Sequence, residues 1–265
     1  MGRTRNRGVT PHDVTALGAH ISVNGSTLHV RSGGVDQSVV NLARPEILEF
    51  EYLQHIDLLV DLTLPLLDTT RPRAFHAGAG GCALPLAWEV RYPHMSQVAV
   101  EVDAQLAAAT VAAADLRRKP RLRMRVGDAA DVLTGSGATY TILVRDAFTG
   151  SSTPRHLTTT AWTELVRSRM RSEGMYLANV GQDRHSRAKE EVATILAAFP
   201  QTIVVTDPKV WRANRSGNIV VAAWSGAIPD LADIDRNLRR MPLPVRLYPT
   251  AEVERWLGGA RPLTH

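Results

Sequence analysis

Phe75-His76-Ala77-Gly78-Ala79-Gly80-Gly81-Cys82-Ala83 reads as the end of a strand, a glycine-rich turn and the start of a helix. Glycine lacks a Cβ, so Gly78, Gly80 and Gly81 let the backbone turn sharply and come close to a ligand. Downstream, Gln97 to Val102 predicts a second strand, and the chain there reads Val100-Glu101-Val102-Asp103. A carboxylate about twenty residues after such a turn can accept hydrogen bonds from a ribose diol. Glu101 and Asp103 both fit that role.

Reading outward, strands and helices alternate. After Ala74 to Ala77, a helix is predicted through Leu84 to Val90, and the Ala-rich stretch Asp103 to Leu116 predicts another. Further strands fall at Leu122 to Val126, Tyr140 to Val144, Gly174 to Val180, Thr202 to Thr206 and Gly217 to Trp224. Helices are expected at Trp162 to Ser172 and Ala188 to Phe199. This order argues for a Rossmann-type α/β fold: a doubly wound, mostly parallel sheet with helices on both faces. Upstream, Asn24-Gly25-Ser26 separates two alternating segments and signals a β-hairpin. Asp36 to Val40 follows as a further strand. Residues 45–66 have helical apolar spacing, with Pro45 near the start and Pro65 at the end. The chain divides into a disordered basic arm (1–18), a β-hairpin annex with a linking helix (19–66), a nucleotide-binding domain (67–227) and a helical tail (228–265).

The 265 residues suffice for a large core without disulfide or metal staples. The single cysteine excludes an internal disulfide framework and a Cys-based zinc site, and fits a reducing, cytoplasmic setting. No apolar run is long enough to suggest a membrane helix, so no membrane partner is expected. The basic N-terminus lacks a following apolar core and does not read as a secretory signal. The formal charge of +5 resides partly in that arm and partly in Arg117 to Arg125. There Arg121, Arg123 and Arg125 alternate with apolar residues, which predicts one solvated strand face. No aromatic side chains interleave with them for base stacking, so a nucleic-acid partner is not expected.

Two more strand ends carry carboxylates. In open α/β sheets, ligands sit beyond the carboxyl ends of the strands. Val126-Gly127-Asp128-Ala129-Ala130 puts Asp128, with Ala129 beside it, where an adenine amino group can be held; Asp128 equally suits a helix N-cap. Ile142-Leu143-Val144-Arg145-Asp146-Ala147-Phe148 puts Asp146 where a carboxylate can orient or deprotonate an amine, or cap a helix. The following 149–154 are loop-forming and suit a lid. Cys82 and His76 read as buried packing residues, His156 and His185 as surface residues, and Trp211 and Trp224 as core or pocket wall.

Gly34-Val35-Asp36-Gln37-Ser38, Leu48-Glu49-Phe50-Glu51-Tyr52, the glycine turn, Val-Glu-Val-Asp, Gly-Asp-Ala, Asp146-Ala147-Phe148 and Arg215-Ser216-Gly217-Asn218-Ile219 occur in one order along the chain. That order resembles the spermidine synthases over roughly residues 20–225. The resemblance implies a class I methyltransferase-like fold with an added N-terminal β annex. It also implies transfer of an aminopropyl group from decarboxylated S-adenosylmethionine to an amine. By it, Gln37 touches the nucleoside, Glu101 holds the ribose, Asp128 holds the adenine, Asp146 acts on the attacking amine and Tyr52 lines the acceptor channel. A homodimer and a small-molecule amine, or another small acceptor, are implied as partners, and no metal.

The chain departs from that pattern at the acceptor end. Gly80 stands where the resembling enzymes keep an aspartate, Thr149 where they keep a second one, and Leu53-Gln54 where they carry a His or Gln and then Glu. Each change removes a partner for a cation. Two alternatives therefore stand beside aminopropyl transfer: an S-adenosylmethionine-dependent methyltransferase on the same site, and a non-catalytic nucleotide-binding or interaction protein.

Overall fold

The computed structural model describes residues 13–15, 17–67, 70–150, 152–183, 185–243 and 245–264. The expected basic arm lies almost wholly outside these residues. Its described end, Asp13–Val14 (β1), pairs antiparallel with β2 (Ala19–Asn24). β2, β3 (Thr27–Ser32) and β4 (Val35–Asn41) complete an antiparallel four-stranded annex. Asn24 pairs with Thr27 across the Gly25 turn, as the Asn-Gly signal predicts.

The linking helix is shorter than its apolar spacing suggests: α1 spans Glu51–Thr63. Ahead of it the chain runs through tight turns, with Arg44 N–H bonded to the Asn41 carbonyl and Ile47 N–H to the Arg44 carbonyl, and is tied down at one bridge residue. Leu48 bridges Val40 of β4, and the Gln54 side chain donates to the Leu48 carbonyl at 2.7 Å. Backbone groups committed to β4 and to a side chain are not free to form a helical turn.

Then follow β5 (Arg73–Ala77), α2 (Ala83–Arg91), β6 (Ser96–Glu101), α3 (Ala104–Ala113), β7 (Leu122–Val126), α4 (Ala129–Thr134) and β8 (Tyr140–Arg145). After these come α5 (Thr160–Arg169), β9 (Met170–Gln182), α6 (Ala188–Ala198), β10 (Gln201–Thr206), α7 (Pro208–Trp211) and β11 (Gly217–Trp224). The tail adds α8 (Leu231–Leu238), β12 (Arg246–Tyr248) and α9 (Thr250–Leu257), so it is not purely helical. Three consecutive pairs sufficed for β12 to join the sheet edge beside β10, too short a strand to show periodicity.

The eight-stranded sheet has the order β12-β10-β11-β9-β8-β5-β6-β7. Pairings from β9 through β8, β5 and β6 to β7 are parallel; β11 and β12 run against the rest. Side chains along each strand alternate between two cores. Ala74, Ile142, Val144 and Leu177 pack under the annex, α1 and α2, whereas Phe75, Leu143, Tyr176 and Ala178 pack under α4, α5 and α6. Arg123 and Arg125 on the outer strand β7, and Arg121 just before it, are exposed, the solvated face expected from their spacing. No helix among the described residues is long and apolar enough to cross a membrane. The chain leaves β5 towards β6 on one side, while β8 lies on its other side. This reversal of strand order opens a crevice at the carboxyl ends of β5 and β8.

Candidate active site

The glycine turn occupies that crevice. Gly78 donates to the Val100 carbonyl at 3.1 Å and Asp146 donates to the Ala77 carbonyl at 2.8 Å, locking the ends of β5, β6 and β8 together. Gly78 has φ +92°, and a Cβ there would lie 2.3 Å from the Asp146 carbonyl oxygen. Only glycine passes here. A Cβ on Gly81 would lie 2.8 Å from Ser38 Oγ of β4, so the annex is seated directly on the turn. Cys82 begins α2 with φ 58°; it is fully buried, and burial pushes its thiol well up, which removes it as a nucleophile.

Beside the turn, Glu101 accepts from Gly80 N–H at 2.8 Å and from Asp103 N–H at 3.1 Å. Asp103 caps α3, accepting from Gln105 and Leu106 N–H. Burial pushes its carboxyl up, but hydrogen bonds from Thr15, Leu106, Gln105 and Leu17 outweigh this and hold it below the usual value. Of the two carboxylates, Glu101 thus touches the turn, and Asp103 fastens the annex to α3. Asp128 caps α4 through Oδ1, at 2.8 Å from Ala130 N, and its Oδ2 lies 2.7 Å from His156 Nε2. The cap and the ligand role expected for Asp128 use different oxygens. Ala129 beside it is buried, and His156 is exposed as expected.

Asp146 does not cap a helix. Its Oδ2 accepts from Tyr52 OH at 2.9 Å and its Oδ1 from Asn179 Nδ2 at 2.9 Å. Burial raises its pKa, while Asn179, Tyr52 and the neighbouring Arg145 guanidinium pull it back. Burial and the Asp146 charge raise the Tyr52 pKa well above that of a free phenol, so Tyr52 stays a donor. Arg145 points to the opposite face and is itself buried. It donates to the carbonyls of Leu157 and Asn179 and pairs with Glu191 at 2.9 Å. One guanidinium thereby fixes both β9 and the far end of the loop that follows Asp146.

A cavity of about 50 Å³ lies between these groups. Its walls are Gln37 and Ser38 of β4, Tyr52 and Leu53 of α1, His76, the Gly78–Gly80 turn, Ala83, Leu84 and Pro85 of α2, and Val144 and Asp146. The structure therefore brings Gln37, Tyr52, Gly78, Gly80 and Asp146 to one cavity. Glu101 stands behind the turn and Asp128 at the next strand end; Gly81 faces Ser38. Asn179 escaped the sequence reading, although a lone amide in the apolar run Met175 to Val180 was a usable signal. No group of three or more His, Cys, Asp or Glu side chains suited to a metal ion occurs among the described residues.

No protein-family model matches the chain, and no curated protein matches it by sequence. Solved structures do. A probable spermidine synthase from Corynebacterium glutamicum is 27% identical, with a TM-score of 0.84 over 93% of this chain and 92% of that one. A spermidine synthase in complex with the transition-state analogue AdoDATO is 14% identical, with a TM-score of 0.60 over 94% of this chain and 86% of its own. Human methyltransferase-like protein 13, in complex with SAH, is 19% identical, with a TM-score of 0.57 over 80% of this chain and 94% of its own. The last two share the fold. By the first, the chain is similar to a probable spermidine synthase over nearly its whole length, as a divergent spermidine synthase-like chain; by the last two, its scaffold is of the Rossmann-type methyltransferase kind.

Proposed function

We propose that the protein is a transferase that takes an S-adenosylmethionine derivative as group donor and moves an aminopropyl group to a small amine. The observation that carries this is Asp146, held by Tyr52 and Asn179 at the cavity beside the glycine turn. In this reading Glu101, Gly78, Gly80 and Gly81 hold the ribose, Asp128 and Ala129 the adenine, and Gln37 closes over the nucleoside from the annex. The similar structures solved with AdoDATO and with SAH support an adenosyl ligand.

The chemistry asked of the chain is modest. The acceptor nitrogen attacks the carbon beside the sulfonium; a C–N bond forms, the C–S bond breaks, and methylthioadenosine leaves. The nitrogen must enter without its proton and loses another afterwards. A carboxylate whose pKa is raised by burial is a better proton acceptor than an exposed one, and two hydrogen bonds fix its direction.

Aminopropyl transfer is favoured over methyl transfer by the charge of the cavity wall. It contains one carboxylate, Asp146, and neither lysine nor arginine among the described residues. An amine is welcome there; the carboxylate of intact S-adenosylmethionine is not. Methyl transfer remains the second reading, favoured by Gly80, whose Cβ position is open except for Ser38 Cβ at 3.8 Å and carries no aspartate.

Calorimetric titration with methylthioadenosine, S-adenosylmethionine and its decarboxylated form separates the readings. Preference for the decarboxylated donor is expected. Preference for the carboxylated form selects methyl transfer, and absence of adenosyl binding overturns both. Asp146→Asn should keep nucleoside affinity and lose turnover.

A further inference from the structure

Asp115 to Arg125 reads Asp-Leu-Arg-Arg-Lys-Pro-Arg-Leu-Arg-Met-Arg, six cations against one carboxylate. This segment alone carries the formal charge of +5 of the whole chain, so all other residues balance to zero. Arg118 pairs with Asp115 at 3.3 Å, and Lys119 and Arg121 interact electrostatically with Glu89. Arg117, Arg123 and Arg125 are exposed and have no carboxylate partner among the described residues.

The charge is mounted on a free edge. β7 ends the eight-stranded sheet and pairs on one side only, with β6. Gln97 N–H donates to the Arg121 carbonyl, and Gly127 N–H to the Glu101 carbonyl. Backbone groups alternate sides along a strand, so those of Arg121, Arg123, Arg125 and Gly127 serve β6. Leu122 N–H donates to the Lys119 carbonyl. The Leu122 carbonyl and both backbone groups of Met124 and Val126 point outward, with no partner among the described residues. Arg123 and Arg125 share the face of Val98 and Val100, their partners in β6. Met124, half-buried, and Val126, exposed, lie on the opposite face.

One charge is enough to keep an edge from pairing with its own kind. The concentration here exceeds that need and makes a field that draws an anionic partner. Alternate side chains on a strand stand about 6.6 Å apart. An extended segment laid along β7 therefore sets every other residue opposite Arg123 and Arg125, where acidic groups attract and basic ones repel. The same rule excludes a second copy of β7. The intervening residues fall on the face of Met124 and Val126, where apolar groups fit. Nucleic acid matches the charge, but its backbone cannot meet the outward N–H and carbonyl groups as a strand does, and no aromatic residue in 115–127 stacks a base.

We propose that the β7 edge docks a partner protein through an extended segment of alternating acidic and apolar residues, which joins the sheet as a further strand.

The test is fluorescence anisotropy on the full chain with capped peptides about six residues long. One alternates Glu and Val, one has the same residues in two blocks, and one alternates Lys and Val; an oligouridylate of similar charge is the nucleic-acid probe. The alternating acidic peptide is expected to bind at least roughly tenfold more tightly than each of the others. The double variant Arg123→Glu/Arg125→Glu should weaken it at least roughly tenfold, since two attractive cross-strand pairs become repulsive. Met124→Pro keeps every charge and deletes one outward N–H, leaving the ladder to β6 whole, and should weaken it roughly tenfold as well. A retained thermal transition reports that each variant is folded; the exposed arginine pair decides the matter if the proline variant does not fold. Equal binding of the block peptide, tighter binding of the oligouridylate, or no saturable binding of the acidic peptide overturns the proposal. Unchanged affinity in folded Met124→Pro makes the edge a charged patch only and overturns strand addition.

Discussion

Gly78→Ala is the substitution most sharply constrained by the geometry. Its φ of +92° is a conformation in which an L side chain costs about 1–2 kcal/mol. The added methyl would lie 2.3 Å from the Asp146 carbonyl oxygen and 2.8 Å from Ala147 Cα. To reach an ordinary contact the two strand ends must part by about 1 Å. Those neighbours are backbone, hydrogen-bonded through Asp146 N–H to Ala77, and overpacking of this kind costs about 1–3 kcal/mol. Together the two effects remove about 2–5 kcal/mol, or roughly 5 to 15 °C in Tm for a chain of this size. A displacement of about 1 Å at Asp146 also lowers turnover by on the order of a hundredfold. Gly80→Ala is the control: φ is +50°, and the nearest neighbour of its Cβ, Ser38 Cβ, is at an easy 3.8 Å. It should lose only about 1–2 kcal/mol. Thermal denaturation and single-turnover kinetics on both variants check this. Equal losses in the two, or an unperturbed Tm in Gly78→Ala, refute the steric argument.

Other perturbations have defined signs. Tyr52→Phe removes a hydrogen bond that favours ionised Asp146, so the acid limb of the pH–rate profile should move to higher pH; an unmoved limb removes Tyr52 from the mechanism. His55 and His76 are buried with pKa values lowered to about 4, whereas unfolded histidine titrates near 6.5. Their neutral burial favours folding above the unfolded value, and that advantage is lost as pH falls towards 4, by about 2 kcal/mol each between pH 7 and 5. Urea denaturation at the two pH values should show it, and His55→Leu should remove about half of the difference. Glu101→Ala should weaken methylthioadenosine binding roughly tenfold or more, as expected for loss of a charged hydrogen-bond acceptor, and unchanged affinity would mean the ribose lies elsewhere. Glu191→Ala leaves the Arg145 guanidinium without its carboxylate in a buried site and should cost about 3–5 kcal/mol in chemical denaturation.

Much of the fold was legible because its strong signals are local. The strand–glycine–helix passage at 75–83 and the Asn-Gly hairpin have stereochemical causes that a linear reading captures. The start of α1 was not legible, because Leu48 is drawn away from the helix by Val40, a partner that only the folded annex supplies. β12 is too short to show a period. At the site, Glu101, Asp128 and Asp146 were found because carboxylates at strand ends stand out. Which of Glu101 and Asp103 faces the turn depended on capping of α3, and so on three dimensions. His76 was read as a packed histidine, and packed it is. Its pairing with Gln97, 21 residues away and on the neighbouring strand, is what fixes its tautomer, and no local pattern carries that.

The Arg145 guanidinium has a consequence for how such a chain can diversify. It grips the Leu157 carbonyl, so the segment between them leaves and re-enters the fold through a closed base. A loop anchored this way can lengthen cheaply, since each doubling adds only about 0.6 kcal/mol of closure entropy. Insertions there would re-contour the approach to Asp146 while the sheet and the glycine turn stay as they are. New acceptors could be recruited from the loop outward, and the nucleotide end inherited intact.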